Sequence, residues 1–393
     1  LGFLSNAISA DIKGNGKDKL DYTILVSEQE FVTAAVFTTN RVKAAPVKYN
    51  MGLLRDSKDK LFSGVVVNSG NANACTGDAG MIACADITNA IEWSLDLECG
   101  AVLICSTGVI GKPMPVKKML DKVPELVEGL DDDNGKLFAR AIMTTDTVKK
   151  EAAWIIETPH GNYTIGAACK GAGMVDPSMA TVLGFITTDV DIDATELQNM
   201  LGEAVKNSFN CISVDGDRST NDSCFVFANG MTGILLDTPE LLDQFEAALN
   251  EVCTWMAKEL VRDAEGATKF VKLIVREARS KEDALKCAAA IANSSLVKTM
   301  FAGCDPNWGR LMSSAGASGA IFEENDVDIW FDGLLYVSNG MIVDEALESE
   351  VYKIMNNPEY TITIELGAGD DVATYYTCDL TQEYVAINAD YRS

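Results

Sequence analysis

The sequence predicts a mixed α/β or α+β protein, and two observations support that class. Apolar strand-like runs and amphipathic helix-like runs alternate along all 393 residues. Antiparallel hairpins are too frequent for a simple doubly wound parallel sheet. A chain of this length can form two or three folding units, or one large body with a smaller lobe. Because the sequence contains no internal repeat and no long flexible linker, its pattern does not define domain boundaries.

The predicted strands are apolar runs bounded by Gly, Asn and Asp. In chain order they cover residues 22–27, 31–38, 64–69, 101–106, 152–157, 163–170, 181–188, 211–215, 223–228 and 268–276. Helical periodicity predicts helices at 79–95, 115–123, 135–143, 194–208 and 238–260. A further helix is expected to begin at Ser280, because Asp283 follows three residues later as an approximate capping box. From residue 327 to 388 the pattern predicts mostly strands around one helix.

The composition indicates a strongly acidic protein of ordinary apolar content. The net charge is −26, and 47% of the residues are hydrophobic. A surface of that charge repels phosphate backbones, so we expect no nucleic-acid partner. No secretory signal pattern is visible, and no apolar run approaches the roughly 20 residues that a membrane span needs. We therefore expect a cytoplasmic protein that does not bind membranes.

Cysteine and histidine usage narrows the chemistry that is available. The eleven cysteines include no Cys-x-x-Cys pair, which is typical of reduced thiols packed as small hydrophobes in the cytosol. The single histidine, His160, lies in a turn-like segment between two predicted strands. Histidine-rich metal sites are thereby excluded, and we expect no metal ligands. If the protein is an enzyme, its proton transfers are expected to use another group.

The segment 170–185, KGAGMVDPSMATVLGF, allows three interpretations. A phosphate-binding loop would need a third glycine and a following helix, but Pro177 and a predicted strand follow instead. A plain loop entering a buried strand is the simplest interpretation of these residues alone. The third interpretation is self-cleavage between Ala180 and Thr181. A threonine hydroxyl needs an adjacent base, and the α-amine of Thr181 that cleavage frees has a suitable reference pKa of about 7.7–8.0.

Three further segments carry polar groups. The strand at 101–106 leads into Thr107 and Gly108, whose backbone N–H groups and hydroxyl could form an oxyanion hole, although an ordinary turn explains them as well. The asparagines of the segment 68–74 could bind a polar substrate or build Asx turns. The loop 215–222 does not match the calcium-binding pattern of an EF-hand, so local hydrogen bonds explain it better.

Seven motifs in chain order give the sequence a resemblance to a known family. They are NSGNANACTG, STGVIG, AIMTTDT, KGAGMVDPSMAT, AEGATK, CDPNWGR and the terminal INADYRS. Together they resemble the ornithine acetyltransferase (glutamate N-acetyltransferase) family. The resemblance implies a layered αββα-type sandwich with smaller lobes, similar to that of self-cleaving aminopeptidases. It also implies cleavage into an α chain, 1–180, and a β chain, 181–393, which interleave in one α/β body.

The same resemblance implies roles for individual residues. Thr181 would be the nucleophile and the new N-terminus, and Thr107 and Gly108 would stabilise the oxyanion. The residues expected to contact substrate are Thr144, Lys170, Thr181, Glu265, Asn388 and Ser393. Two departures from the family pattern concern fine specificity. Val148-Lys149-Lys150 follows TTDT where the family usually has a residue and then Pro-Lys, and Ser393 stands where many members have threonine.

The implied function is transfer of an acetyl group from N-acetylornithine to glutamate through an acetyl ester of Thr181, in the acetyl cycle of arginine synthesis. That reaction needs no metal or organic cofactor, and some relatives also accept acetyl-CoA as donor. The expected partners are these small molecules and the α and β chains of one precursor, as α2β2 or larger. The alternatives are a self-cleaving amidase or aminopeptidase, an acetyltransferase of secondary metabolism, and a binding protein that is never cleaved.

Overall fold

The computed structural model describes residues 1–16, 18–176 and 182–390. Within these ranges the strands are β1 (Phe3–Ile8), β2 (Tyr22–Phe37), β3 (Leu61–Asn71), β4 (Val102–Val109), β5 (Lys150–Thr158), β6 (Gly161–Lys170), β7 (Leu183–Thr188), β8 (Ile212–Ser213), β9 (Ser223–Ala228), β10 (Phe270–Ala278), β11 (Asp328–Phe331), β12 (Leu334–Ser338), β13 (Met341–Ile342), β14 (Glu359–Glu365) and β15 (Asp371–Cys378). The helices are α1 (Ala45–Asp56), α2 (Gly77–Ser94), α3 (Val116–Glu128), α4 (Gly135–Ala141), α5 (Ala194–Asn207), α6 (Pro239–Arg262), α7 (Lys281–Asn293), α8 (Ser295–Ala302), α9 (Trp308–Gly316), α10 (Glu348–Met355) and α11 (Gln382–Asp390).

These strands form two mixed sheets. The first has the order β4-β3-β2-β9-β7-β6-β5, with β1 paired to β2, and the second has the order β13-β12-β11-β14-β10-β15-β8. The predicted mixed α/β class, with two central sheets and flanking helices, is confirmed. Since β1 to β6 precede residue 181 while β7 and β9 follow it, both parts of the chain contribute to the first sheet.

Alternating side chains bury both faces of the first sheet. One apolar cluster joins β6, β7 and β9 to α5 and α6. A second joins β1 to β4 with α2 and α3, and a third packs phenylalanines of the sheet against Phe138 of α4. The second sheet packs on α7 to α10 through its own cluster. Because α6 contacts strands of both sheets, it joins the two halves of the molecule.

Several local predictions match this fold. The Ser280 hydroxyl accepts a hydrogen bond from the Asp283 backbone N–H at 3.2 Å, which caps α7. The two strands predicted at 22–27 and 31–38 are one strand, β2, with an irregularity between Val26 and Phe31. All eleven cysteines are free thiols, and nine of them are buried. Among the described residues, no helix is both long and apolar enough to cross a bilayer.

Candidate active site

Predicted site residues from separate segments of the chain line one cavity. They are Thr107, Gly108, Thr144, Lys170, Glu265 and Asn388. The other predicted residues, Ala180, Thr181 and Ser393, lie outside the described residues. Gly173 and Met174, shortly before the predicted cleavage site, line the same cavity. The structure therefore brings together every predicted site residue that it describes.

Thr107 and Gly108 belong to β4, so the expectation that the strand ends before them is wrong. β4 continues to Val109 and pairs with β3 in a register that places Gly70 opposite Gly108. The register then shifts at Asn71, as in a β-bulge. Gly108 has a φ of +129°, and a Cβ at this position would lie 2.4 Å from the Gly70 carbonyl carbon. The close approach of the two strands therefore requires glycine at position 108.

Lys170 ends β6 with its side chain almost completely buried, since the residue is 2% exposed. Its ammonium group donates to the Thr144 hydroxyl at 3.3 Å. Burial lowers the pKa of Lys170, while the nearby carboxylates of Asp146, Asp222 and Glu265 act in the opposite direction. The cavity thus contains a desolvated cation that is surrounded by acidic groups.

A buried ionic cluster, Asp146–Lys150–Asp263, contacts the backbone of residues in and beside the cavity lining. The Lys150 ammonium forms ion pairs with Asp146 at 2.8 Å and with Asp263 at 2.5 Å, and all three side chains are at most 4% exposed. Asp146 also accepts the backbone N–H groups of Thr144 at 3.0 Å and Gly171 at 2.8 Å. The cluster therefore fixes the backbone beside both Thr144 and Lys170.

The same cluster includes a residue, Asp263, that follows the predicted cleavage site in the sequence. The Asp263 carboxylate accepts the backbone N–H of Thr147 at 3.1 Å, and Asp263 lies two residues before Glu265. Burial would raise the pKa of Asp146, but the ammonium groups of Lys150 and Lys170 outweigh it and hold that pKa below its ordinary value. Through its ion pairs, the cluster joins residues that come before and after residue 181 in the sequence.

Glu265 lines the same cavity as Lys170, in a position that depends on a glycine. Its backbone N–H donates to the Ala172 carbonyl oxygen at 2.8 Å. A Cβ on Gly173 would lie 2.5 Å from Glu265 Oε2, so the carboxylate sits where a side chain would otherwise be. Asn388 Nδ2 donates to the same oxygen at 2.7 Å.

Polar contacts of the C-terminal helix α11 and of Thr381, the residue before it, hold the helix near Glu265. The Tyr384 hydroxyl donates to Asp215 Oδ2 at 3.0 Å, and the Thr381 hydroxyl donates to the Gly266 carbonyl oxygen at 2.7 Å. With Asn388 on Glu265, three contacts place α11 beside the cavity. The predicted return of the chain end to the site is thus observed as far as Asp390.

The loop 215–222 is a part of the cavity that the sequence interpretation missed. The expected local hydrogen bonds are present, for instance from the Asn221 backbone N–H to the Ser219 hydroxyl at 3.1 Å. Ser219, Thr220 and Asn221 also line the cavity. Asn221 Nδ2 donates to the carbonyl oxygens of Ala72 at 2.6 Å and Ser106 at 2.8 Å, which fixes the backbone just before Thr107.

Asp222 and Asp215 hold the backbone on either side of the predicted cleavage segment. Asp222 is 1% exposed and accepts the Val182 backbone N–H at 3.1 Å, and burial raises its pKa well above the ordinary value. Asp215 accepts the backbone N–H groups of Met174 at 2.6 Å and Val175 at 2.8 Å. Two carboxylates therefore anchor the chain before and after residues 177–181.

Two other groups of polar residues do not contribute side chains to the cavity. The Asn71 side-chain oxygen accepts the Asn73 backbone N–H at 2.8 Å, which supports the Asx-type interpretation. The side-chain amides of Asn68, Asn71 and Asn73 donate to the carbonyl oxygens of Asn71, Pro113 and Gly80. His160 is exposed in the turn between β5 and β6. A base for this cavity therefore has to come from groups other than histidine.

The sequence of this chain also matches a known protein family. The model described as "ArgJ family" matches residues 4–393. This chain belongs to the ArgJ family. It is 43% identical over 398 residues to the arginine biosynthesis bifunctional protein ArgJ of Geobacter sulfurreducens, covering 100% of this chain and 99% of the relative. It is 42% identical to the glutamate N-acetyltransferase of Methanocaldococcus jannaschii, covering 96% of each chain.

A solved ArgJ structure matches about half of this chain. The crystal structure of arginine biosynthesis bifunctional protein argJ from Bacillus halodurans matches with a TM-score of 0.50 and 36% identity. The match covers 53% of this chain and 98% of the chain in that crystal structure. The matched ArgJ chain is thus about half as long as this one.

Replacing Gly108 by alanine in this ArgJ-family chain is expected to lower the thermal unfolding midpoint more than replacing Gly111. Both glycines have positive φ, but only at Gly108 would an added Cβ lie within 3 Å of backbone atoms, whereas Gly111 faces open space. The additional overpacking at 108 should cost about 1–3 kcal/mol. Equal midpoints for Gly108→Ala and Gly111→Ala, measured by differential scanning fluorimetry, would contradict the close approach of β3 and β4.

Proposed function

We propose that this chain transfers the acetyl group of N-acetyl-L-ornithine to L-glutamate in arginine biosynthesis, through an acetyl ester of Thr181. The observation that carries the proposal is the meeting of Thr107, Gly108, Thr144, Lys170, Glu265 and Asn388 in one cavity, which Gly173 and Met174, a few residues before Thr181 in the sequence, also line. Membership of the ArgJ family and the names of its relatives support the same reaction.

The reaction begins with cleavage of the bond between Ala180 and Thr181, which frees the α-amine of Thr181. The Thr181 hydroxyl then attacks the acetyl carbonyl carbon, and the amine accepts the hydroxyl proton. Thr107 and Gly108 stabilise the oxyanion of the tetrahedral intermediate. The C–N bond to ornithine breaks, ornithine takes up the proton and leaves, and the acetyl group remains as an ester.

Glutamate completes the cycle in the second half-reaction. Its α-amine attacks the ester carbonyl carbon, and the C–O bond to Thr181 breaks to give N-acetylglutamate and the free hydroxyl. Lys170 and Glu265 suit this pair of substrates, because both amino acids carry a carboxylate and an ammonium group. Thr144 and Asn388, with Ser393, supply further hydrogen bonds.

Two observations support the proposed cleavage. Asp215 and Asp222 anchor the chain on either side of residues 177–181, so the ends produced by cleavage remain held. The Bacillus halodurans chain corresponds to 53% of this one, which is close to the share that residues 181–393 would have as a separate chain. The α chain 1–180 and β chain 181–393 would then share the first sheet.

The finer parts of the proposal concern assembly, location and the donor. We place the α and β chains in an α2β2 or larger assembly in the cytoplasm, where the eleven free cysteines stay reduced. The reaction uses no metal or organic cofactor. Acetyl-CoA is a second donor for glutamate in this proposal, and formation of N-acetylglutamate from acetyl-CoA and glutamate alone tests that part separately.

The proposed transfer is distinguished from hydrolysis by a two-arm assay. Purified protein is incubated with N-acetylornithine, with and without glutamate, and N-acetylglutamate, ornithine and acetate are quantified. We expect stoichiometric N-acetylglutamate and ornithine when glutamate is present, and little acetate when it is absent. Release of ornithine and acetate at the same rate in both arms would instead indicate an amidase, in which water resolves the ester.

A further inference from the structure

A second cavity, which we call the lysine cavity, adjoins the candidate active site. Its lining includes Lys13, Lys19, Asp21, Ser69, Gly70 and Thr144, and its volume is about 240 Å³. Thr144 lines both cavities. A ligand that reaches past Thr144 from the active site would therefore enter a space that carries two lysines.

The two cavities each place an ammonium group against Thr144. Lys170 Nζ donates to the Thr144 hydroxyl at 3.3 Å from the side of the active site. Lys19 Nζ donates to the carbonyl oxygens of Met143 at 2.8 Å and Thr144 at 3.4 Å from the side of the lysine cavity. An ammonium group has three donors, so a substrate oxygen can take a further hydrogen bond from Lys19. One residue thus separates two positive charges.

Close backbone packing holds Lys13 near the same place. A Cβ on Gly70 would lie 3.1 Å from the Lys13 backbone nitrogen, so the loop that carries Lys13 rests directly on Gly70. Gly70 in turn packs on Gly108, the predicted oxyanion residue. The lysine cavity is therefore built against the strand ends that also form the active site.

The lining of the lysine cavity carries two lysines and one aspartate, whose carboxylate is already hydrogen-bonded. Asp21, the acidic residue of its lining, has its carboxylate oxygens bound to the backbone N–H groups of Ala10 and Ile12, both at 2.7 Å. Burial lowers the pKa of Lys13 and of Lys19. The charges of Asp146 and Asp21 raise the pKa of Lys19, and those of Lys13 and Arg140 lower it by less, so burial remains the main cause of the lowered pKa. An oxyanion between the two lysines would offset the cost of desolvating them.

We propose that the lysine cavity binds the side-chain carboxylate of the acidic acceptor amino acid, with Lys19 as the main contact and Lys13 in support. This inference rests on the proposed function. When the α-carboxylate of glutamate is bound at Lys170, its second carboxylate still needs a cation, and the lysine cavity supplies one across Thr144. Ornithine carries an ammonium group on its side chain, which the two lysines of this cavity would repel. Lys19 would therefore determine specificity for one of the two substrates.

The test separates the two half-reactions in the full-length protein. Exchange of isotopically labelled ornithine into N-acetylornithine, without glutamate, reports the first half-reaction alone. Transfer to glutamate reports both. For Lys19→Met we expect the KM for glutamate to rise about tenfold, as loss of one charge-assisted hydrogen bond would give, with a much smaller effect on exchange. The preference for glutamate over glutamine as acceptor should shrink by a similar factor.

Two variants serve as controls. Lys19→Arg keeps the positive charge and should restore most of the affinity for glutamate. Lys117→Met removes a surface lysine whose side chain is 87% exposed, and it should change neither half-reaction. An unchanged KM for glutamate in Lys19→Met, or an equal loss in both half-reactions, would overturn the inference. Absence of ornithine exchange in the unaltered protein would contradict the proposed function itself, and the inference with it.

Discussion

Replacing Thr181 by alanine is expected to leave the 393-residue chain uncut and to abolish acetyl transfer. The hydroxyl is the proposed nucleophile in both self-cleavage and catalysis, and the base, its own α-amine, exists only after cleavage. Loss of a nucleophile of this kind typically costs at least about 10⁴-fold in kcat. Intact mass spectrometry of the denatured protein gives the cleavage state, and the transfer assay gives the rate.

Thr181→Ser is the matched control for this experiment. It keeps a hydroxyl and an α-amine, so two fragments that meet between residues 180 and 181 are expected, with transfer reduced but measurable. The unaltered protein should also yield these two fragments. If Thr181→Ala transferred acetyl groups at the rate of the unaltered protein, another residue would have to be the nucleophile.

Replacing Lys150 by methionine is expected to destabilise the protein by about 3–5 kcal/mol, which is typical when one partner of a buried ion pair is removed. Two buried carboxylates, Asp146 and Asp263, would lose the cation between them. Since these carboxylates lie on opposite sides of residue 181, the variant should also weaken the association of the two proposed chains. The thermal unfolding midpoint at a fixed scan rate measures the first effect, and native mass spectrometry measures the second.

The neighbouring residue provides the control. Lys149 pairs with Glu151 at the surface, where its side chain is 45% exposed, so Lys149→Met should change stability by less than about 1 kcal/mol. Lys150→Arg retains the charge and should recover part of the loss. Equal unfolding midpoints for Lys149→Met and Lys150→Met would mean that the buried cluster contributes no net stability.

Much of the fold could be predicted where a segment has a clear apolar period. The helices α2, α5 and α6 and the hairpin of β5 and β6 lie close to their predicted positions, because each buries a regular apolar face. The helix α11 was missed, and the end of the chain was predicted as mostly strands. None of its residues is buried, so it has no apolar period and depends on polar contacts such as that of Tyr384 with Asp215.

The candidate site could be predicted only in part, for a related reason. The motifs named Thr107, Lys170 and Glu265, but spacing along the chain does not show which residues support them. The role of Lys150 depends on carboxylates that lie 4 and 113 residues away in the sequence. The loop 215–222 was interpreted correctly as a hydrogen-bonded turn, yet its place in the cavity follows from tertiary packing alone.

The proposed covalent intermediate can be tested by trapping. Protein is mixed with N-acetylornithine in the absence of glutamate, quenched in acid and analysed by intact mass spectrometry with fragmentation. We predict that the fragment 181–393 gains the mass of one acetyl group located on its first residue, and that adding glutamate before the quench removes it. Turnover of N-acetylornithine with glutamate, while this fragment never carries an acetyl group at any quench time, would contradict the account.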